Sequence, residues 1–102
     1  MTKAYIVFHT HHEHSEDICD LYNSEYIEKV FDSEVKAVNY IFKKIKNDHE
    51  MLDVTHPGDE TIIKHKPSLF RIHRYLVTYS WERMDGNVYI LDSYRYETHD
   101  VG

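Results

Sequence analysis

Residues 70–97, FRIHRYLVTYSWERMDGNVYILDSYRYE, decide the fold. Two runs, 70–83 and 87–97, alternate in polarity and are rich in Tyr, Val and Ile, with Asp85-Gly86 between them as a two-residue turn. This is the pattern of a β-hairpin. Setting Met84 opposite Asn87 places Trp81 across from Ile90, Val77 from Tyr94 and Tyr75 from Tyr96, all on one face with Tyr79. The other face then carries Glu82–Tyr89, Thr78–Ser93, Leu76–Arg95 and the opposite-charge pair Arg74–Glu97. One aromatic face and one mostly polar face predict a sheet covered on one side.

The cover lies upstream. Val35, Val38, Ile41, Phe42 and Ile45 recur at helical spacing and form one apolar stripe. Asp32 or Ser33 can cap this helix and Glu34 sits in its first turn, while Lys43, Lys44 and Lys46 suit its C-terminal end, with Asn47 and Asp48 as the stop. Further upstream, Tyr5-Ile6-Val7-Phe8 reads as a short buried strand. Ile18, Leu21 and Tyr22 have helical spacing within 15–23, and Tyr26–Phe31 fits either the end of that helix or, the reading adopted, a strand. Residues 48–69 are polar, hold both prolines and carry the turn signal His56-Pro57-Gly58-Asp59. They read as a long irregular excursion with a short strand at Thr61-Ile62-Ile63. The expectation is a single α+β domain over 1–102, a small, mostly antiparallel sheet of about four strands with one principal helix on one face.

Composition bounds the function. At 102 residues and 12.3 kDa, with 41% hydrophobic, 29% charged and 14% aromatic residues, the chain has the make-up of one globular domain. No apolar run is long enough to span a bilayer, and the N-terminus lacks a signal-peptide pattern. Cys19 is the sole cysteine, so no internal disulfide forms, and a cytoplasmic location is expected.

Charge is concentrated. Glu13, Glu16, Asp17, Asp20, Glu25, Glu28, Asp32 and Glu34 face only Lys3 and Lys29 in residues 1–34, which therefore hold the whole formal charge of −6. An acidic chain of pI 5.8 lacks the basic footprint of direct nucleic-acid binding. Arg71, Arg74, Arg83 and Arg95 could line a base-stacking platform on the hairpin, but Glu82, Asp92 and Glu97 offset them. The acidic third suits a partner with a basic surface, with Glu13, Glu16, Asp17, Asp20, Glu25 and Glu28 as the candidate contact residues. Nine histidines make the sign of the molecule pH-dependent, since adding nine protons turns −6 into +3.

Four of these histidines, His9, His11, His12 and His14, stand in six residues directly after the first strand, beside Glu13, Glu16 and Asp17. They are candidate ligands for zinc or another divalent transition metal, with His9 and His11 on one face of a continuing strand and His12 and His14 on the other. The plainer alternative is a hydrophilic loop rich in His. A strand followed by His-x-His resembles the opening of the polymerase-and-histidinol-phosphatase hydrolases and, more loosely, of the cupins, although the later ligand motifs of the first and the Gly-spaced β motifs of the second are missing. No G-x-S-x-G elbow, phosphate-binding Gly loop or paired H-x-T motif occurs, and Cys19 has no oxyanion-hole candidate nearby.

Tyr5-Ile6-Val7-Phe8, then Lys29-Val30-Phe31-Asp32-Ser33-Glu34, then Ala37 and Tyr40-Ile41 ahead of alternating strands, resembles a class of small proteins of bacteriophages and mobile elements of low-GC Gram-positive bacteria. That resemblance implies an accessory protein that binds a host component, and it assigns no catalytic residue or cofactor. With the small size, the acidic first third and the absence of a complete catalytic set, the function expected is protein binding, such as inhibition of a host nucleic-acid or defence enzyme, with a metal-dependent hydrolase or metal-binding protein using His9–His14 as the alternative.

Overall fold

The alternating hairpin and the amphipathic stripe both form, and each reaches further than its sequence pattern. In a computed structural model, which describes residues 2–17, 22–68, 70–72 and 75–102, the elements in chain order are β1 (Thr2–Ser15), β2 (Tyr22–Phe31), α1 (Glu34–Thr55), β3 (Ile63–Lys64), β4 (Phe70–Ile72), β5 (Tyr75–Asp85) and β6 (Val88–Val101). The strands form one sheet in the order β2-β1-β6-β5-β3, with β4 sharing the edge of β5 with β3. All pairings are antiparallel. The α+β class and the single covering helix are thus as expected; the sheet is larger, with six strands in five positions across.

The first strand is predicted to stop at Phe8 but continues through the histidine block to Ser15. It lies between two partners, β2 and β6, and paired backbone on both sides outweighs the weak strand preference of His and Glu. Tyr26–Phe31 is a strand, as adopted, and begins at Tyr22. Ile18, Cys19, Asp20 and Leu21, on which the helical spacing of 15–23 partly rests, lie outside the described residues, as does Arg74.

The helix does not stop at Asn47-Asp48. It runs 22 residues to Thr55 because its later turns also find partners: Leu52 is buried, Asp48 accepts hydrogen bonds from the sheet, and His49 Nε2 donates to the Ser80 carbonyl (2.7 Å). Lys43, Lys44 and Lys46 consequently sit in its middle, and the last turn has no basic residue. Ser33 holds the N-cap position without a side-chain bond, while Asp32 pairs with Lys36 Nζ at 3.0 Å. The irregular stretch begins at His56 instead of residue 48, and within it β3 (Ile63–Lys64) starts two residues later than the expected strand, with 65–68 irregular again. The core is Val7, Ala37, Ile41, Ile45, Tyr94 and Tyr96, where α1 crosses the centre of β1 and β6.

The hairpin register differs from expectation in two ways. Asp85 pairs with Val88, so the turn is Gly86-Asn87, with Gly86 in the left-handed region (φ 63°). Trp81 thereby faces Asp92 and Arg83 faces Ile90. The second difference is a bulge: Tyr79 pairs with Ser93 and Trp81 with Asp92, leaving Ser80 as an extra residue. Beyond it, Thr78 pairs with Tyr94 and Leu76 with Tyr96, so Val77 and Tyr79 turn to the uncovered face rather than joining Trp81.

Candidate functional site

Two bulges converge on one place. In β2, Glu28 is the unpaired residue between Ile27↔Phe8 and Lys29↔Val7, and in β5 the unpaired residue is Ser80. A bulge bends its strand and re-aims a side chain. Glu28 swings under α1, where its Oε2 accepts from Tyr40 OH (2.9 Å) and its Oε1 lies 3.2 Å from His9 Nδ1. Ser80 Oγ donates to Asp48 Oδ2 of the helix at 3.0 Å, and the Ser80 carbonyl accepts from the backbone N–H of His65 at 2.9 Å.

Between the bulges, strand alternation points His9, His11 and Glu13 at the helix. His9 pairs across β6 with Tyr94 and His11 with Asp92. The Asp92 carboxylate, 4% exposed, takes His9 Nε2 on Oδ1 and His11 Nδ1 on Oδ2, the latter at 2.7 Å. His11 Nε2 reaches Glu13 Oε1 at 3.1 Å, and His9 Nδ1 is also 2.6 Å from Tyr26 OH. The result is an unbroken series, Glu28–His9–Asp92–His11–Glu13, in which each imidazole lies between two carboxylates. Tyr94 stacks on His9 (centroids 4.4 Å apart, planes at 18°) and donates its hydroxyl to Asp48 Oδ2 at 2.9 Å.

Burial would push both imidazoles down, but the hydrogen bond and charge of Asp92, joined by Asp48 and Glu28 at His9 and by Glu13 at His11, outweigh it and hold both above the ordinary imidazole value. Burial raises Asp48, against the hydrogen bonds from Tyr94 and Ser80 that lower it. Burial and the bond to Glu28 push the Tyr40 phenol up to about 12. Protonation of both imidazoles would give the series alternating charges with a net of −1, two cations between three carboxylates. The series opens on a groove of about 330 Å³ under the second half of α1, walled by Met51, Leu52, Trp81 and Ile90 beside the acids.

No family model, no curated protein and no solved structure matches this chain. Its chemistry is read from its own side chains alone.

The four histidines of the block divide by face. His9 and His11 belong to the series under the helix, whereas His12 and His14 stack on each other on the uncovered face (6.2 Å, 11°). Among the described residues, no group of three or more His, Cys, Asp or Glu side chains is placed to hold a metal ion. The six acids expected to share one contact surface are also dispersed. Glu28 and Glu13 serve the groove; Glu25 lies on the opposite face, where Arg95 Nη2 (2.6 Å) and Thr10 Oγ1 (2.8 Å) hold it; Glu16 and Asp17 are exposed beyond the end of β1; Asp20 is outside the described residues. Among the described residues, no helix is long and apolar enough to cross a membrane. Asp92 and Asp48 were not singled out from the sequence. Asp92 had a visible signal, since it is the one acid on a strand face otherwise made of Ile90, Tyr94 and Tyr96. Asp48 had none, because it reads equally well as a helix stop.

Proposed function

We propose that the protein is a small accessory protein, of the bacteriophage kind its sequence resembles, that uses an acidic surface to bind a host protein with a basic one. The observation that carries this reading is the gathering of carboxylates at one end of the sheet. There the C-terminal end of β1, the β5–β6 turn and the segment after α1 meet: Asn87 Nδ2 donates to Asp17 Oδ2 at 3.0 Å, and Thr61 Oγ1 donates to the Met84 carbonyl at 3.0 Å. This sets Glu16 and Asp17 beside Asn87 of the turn, and Asp59 and Asp85 beside Arg83, which lines the groove together with Glu13. Arg83 lies 3.9 Å from Asp59 and 4.0 Å from Asp85, too far for hydrogen bonds, so these carboxylates retain capacity for another cation. The groove adds apolar area and Trp81, an aromatic anchor of the type enriched in interfaces.

The test is capture from a bacterial host lysate on the immobilised protein, followed by association kinetics of the captured protein with wild type and with Glu16→Gln/Asp17→Asn/Asp85→Asn. Slower association of the triple variant, with its fold intact, supports the reading. Retention of no protein, or equal association rates, overturns it. The alternative of metal-dependent hydrolysis has the convergence of His9 and His11 on Asp92 in its favour. Turnover of a phosphate or carboxylic ester that needs added metal and is lost in Asp92→Asn would establish that activity instead.

A further inference from the structure

We infer that the groove under the second half of α1 binds a short apolar peptide with both ends free, its carboxylate on Arg83 and its ammonium on Glu13. The first observation is a charged donor without an acceptor. The Arg83 side chain is 15% exposed, and among the described residues its Nε is the one buried side-chain polar atom with no hydrogen-bond partner. Its terminal nitrogens come no nearer to a carboxylate than 3.9 Å at Asp59 and 4.0 Å at Asp85, neither of which lines the groove. A buried charged donor left in this state is costly, and an acceptor supplied by a ligand removes the cost. For a guanidinium the fitting acceptor is a carboxylate, taken by two parallel N–H groups.

The second observation is the row in which Arg83 stands. Glu13 of β1 pairs with Ile90 of β6, and Ile90 pairs with Arg83 of β5, so an acid and a base lie in one line across the sheet with a buried aliphatic residue between them. All three line the groove. Two strand spacings, about 9.5 Å, separate the backbones of the charged pair. Glu13 is 34% exposed and meets His11 through Oε1 at 3.1 Å, leaving Oε2 for a ligand. The other acids of the groove are occupied, Asp92 by two imidazoles and Asp48 by Ser80 and Tyr94.

These ends select the ligand. A free amino acid carries both charges on one carbon and cannot reach Glu13 and Arg83 together. Two extended residues span about 7 Å, and a charge-assisted hydrogen bond adds about 2.8 Å at each end, enough to bridge the row. Trp81, Met51 and Leu52 join Ile90 as apolar walls for the side chains, and the volume of about 330 Å³ is at the small end of the range for ligand pockets, about 300–1,000 Å³. The partner reading is tested at Glu16, Asp17 and Asp85, outside the groove, and with a host protein, so either can fail without the other.

Trp81 is the only tryptophan of the chain, so its emission reports on the groove. Titration with the dipeptide Leu-Leu should give a saturable change. N-acetyl-Leu-Leu lacks the ammonium and Leu-Leu amide lacks the carboxylate; each should bind at least about tenfold more weakly, as should free leucine. Arg83→Gln should weaken Leu-Leu by a similar factor while binding Leu-Leu amide as wild type does. Glu13→Gln should likewise weaken Leu-Leu and leave N-acetyl-Leu-Leu unaffected. No saturable response to Leu-Leu, or capped forms that bind wild type as well as Leu-Leu does, would overturn the assignment whether or not the variants fold. So would a folded variant that weakens capped and uncapped forms alike.

Discussion

Asp92 has 4% exposure, and both its oxygens are bound by imidazoles of the neighbouring strand. A buried carboxylate placed in this way is costly to alter, because its removal takes the shared acceptor from two half-buried imidazoles. Asp92→Asn should therefore lower stability by about 3–5 kcal/mol, the range for breaking one partner out of a buried charge pair; urea unfolding measures it. The pH dependence has a definite sign. His9 and His11 have folded-state values above their unfolded value near 6.5, so their contribution is complete below about 6.5 and is lost as pH rises through the folded values. Wild-type melting temperature should fall as pH is raised from that point, and Asp92→Asn should show a flatter profile. Asp48 is also raised, by burial, and contributes with the same sign, its share being lost as pH rises through its folded value. A melting temperature that rises between neutral and mildly alkaline pH would contradict the charged-imidazole arrangement.

At the scale of elements, the apolar stripe was legible and its extent was not. Val38, Ile41, Phe42 and Ile45 do face the sheet, but Val35, predicted in the same stripe, is 67% exposed. Ile41→Ala or Ile45→Ala should cost about 2–5 kcal/mol, and Val35→Ala within about 0.5 kcal/mol; parallel denaturant titrations separate them. The hairpin was legible as a hairpin, yet alternation alone could not reveal its bulge. Ser80 continues the polar–apolar rhythm in sequence, and only its partners, Asp48, His49 and His65, make it the residue left out of the ladder. Deleting Ser80 would give a regular ladder with Tyr79 and Trp81 still opposite Ser93 and Asp92, and would take the Ser80 hydroxyl from Asp48 and its carbonyl from His49 and His65. The expected outcome is a cooperative thermal transition at lower temperature, a loss of about 1–3 kcal/mol for polar groups left unpaired; an unchanged melting temperature would mean the bulge is dispensable. The candidate site was half legible for the same reason. Alternation correctly separated His9 and His11 from His12 and His14, but the partners Glu28 and Asp48 arrive through a bulge and a prolonged helix, neither of which has a local sequence signal.

Over the whole molecule, shape follows from strand length. The radius of gyration is 15.0 Å, against about 13 Å for a compact domain of about 100 residues. Two 14-residue strands lying side by side account for the 49 Å long axis. One end of that axis carries the gathered carboxylates. Association of a basic partner there should slow as salt is raised, since screening acts over about 10 Å at 0.1 M, whereas docking on the open face or on β2 alone would change little with salt. Stopped-flow rates across a salt series distinguish the two.

The β1–β6 ladder has one more consequence. Its register begins at Thr2↔Val101 and ends at Ser15↔Val88, so the two strands that form the middle of the sheet also have their outer ends side by side. Tension applied through residues 2 and 101 therefore loads the hydrogen bonds one pair at a time, from the open end inward, instead of all together. The molecule should part like a zip at low force, and its mechanical resistance should rise when the pull reaches Val7 and Tyr96, where the helix is anchored.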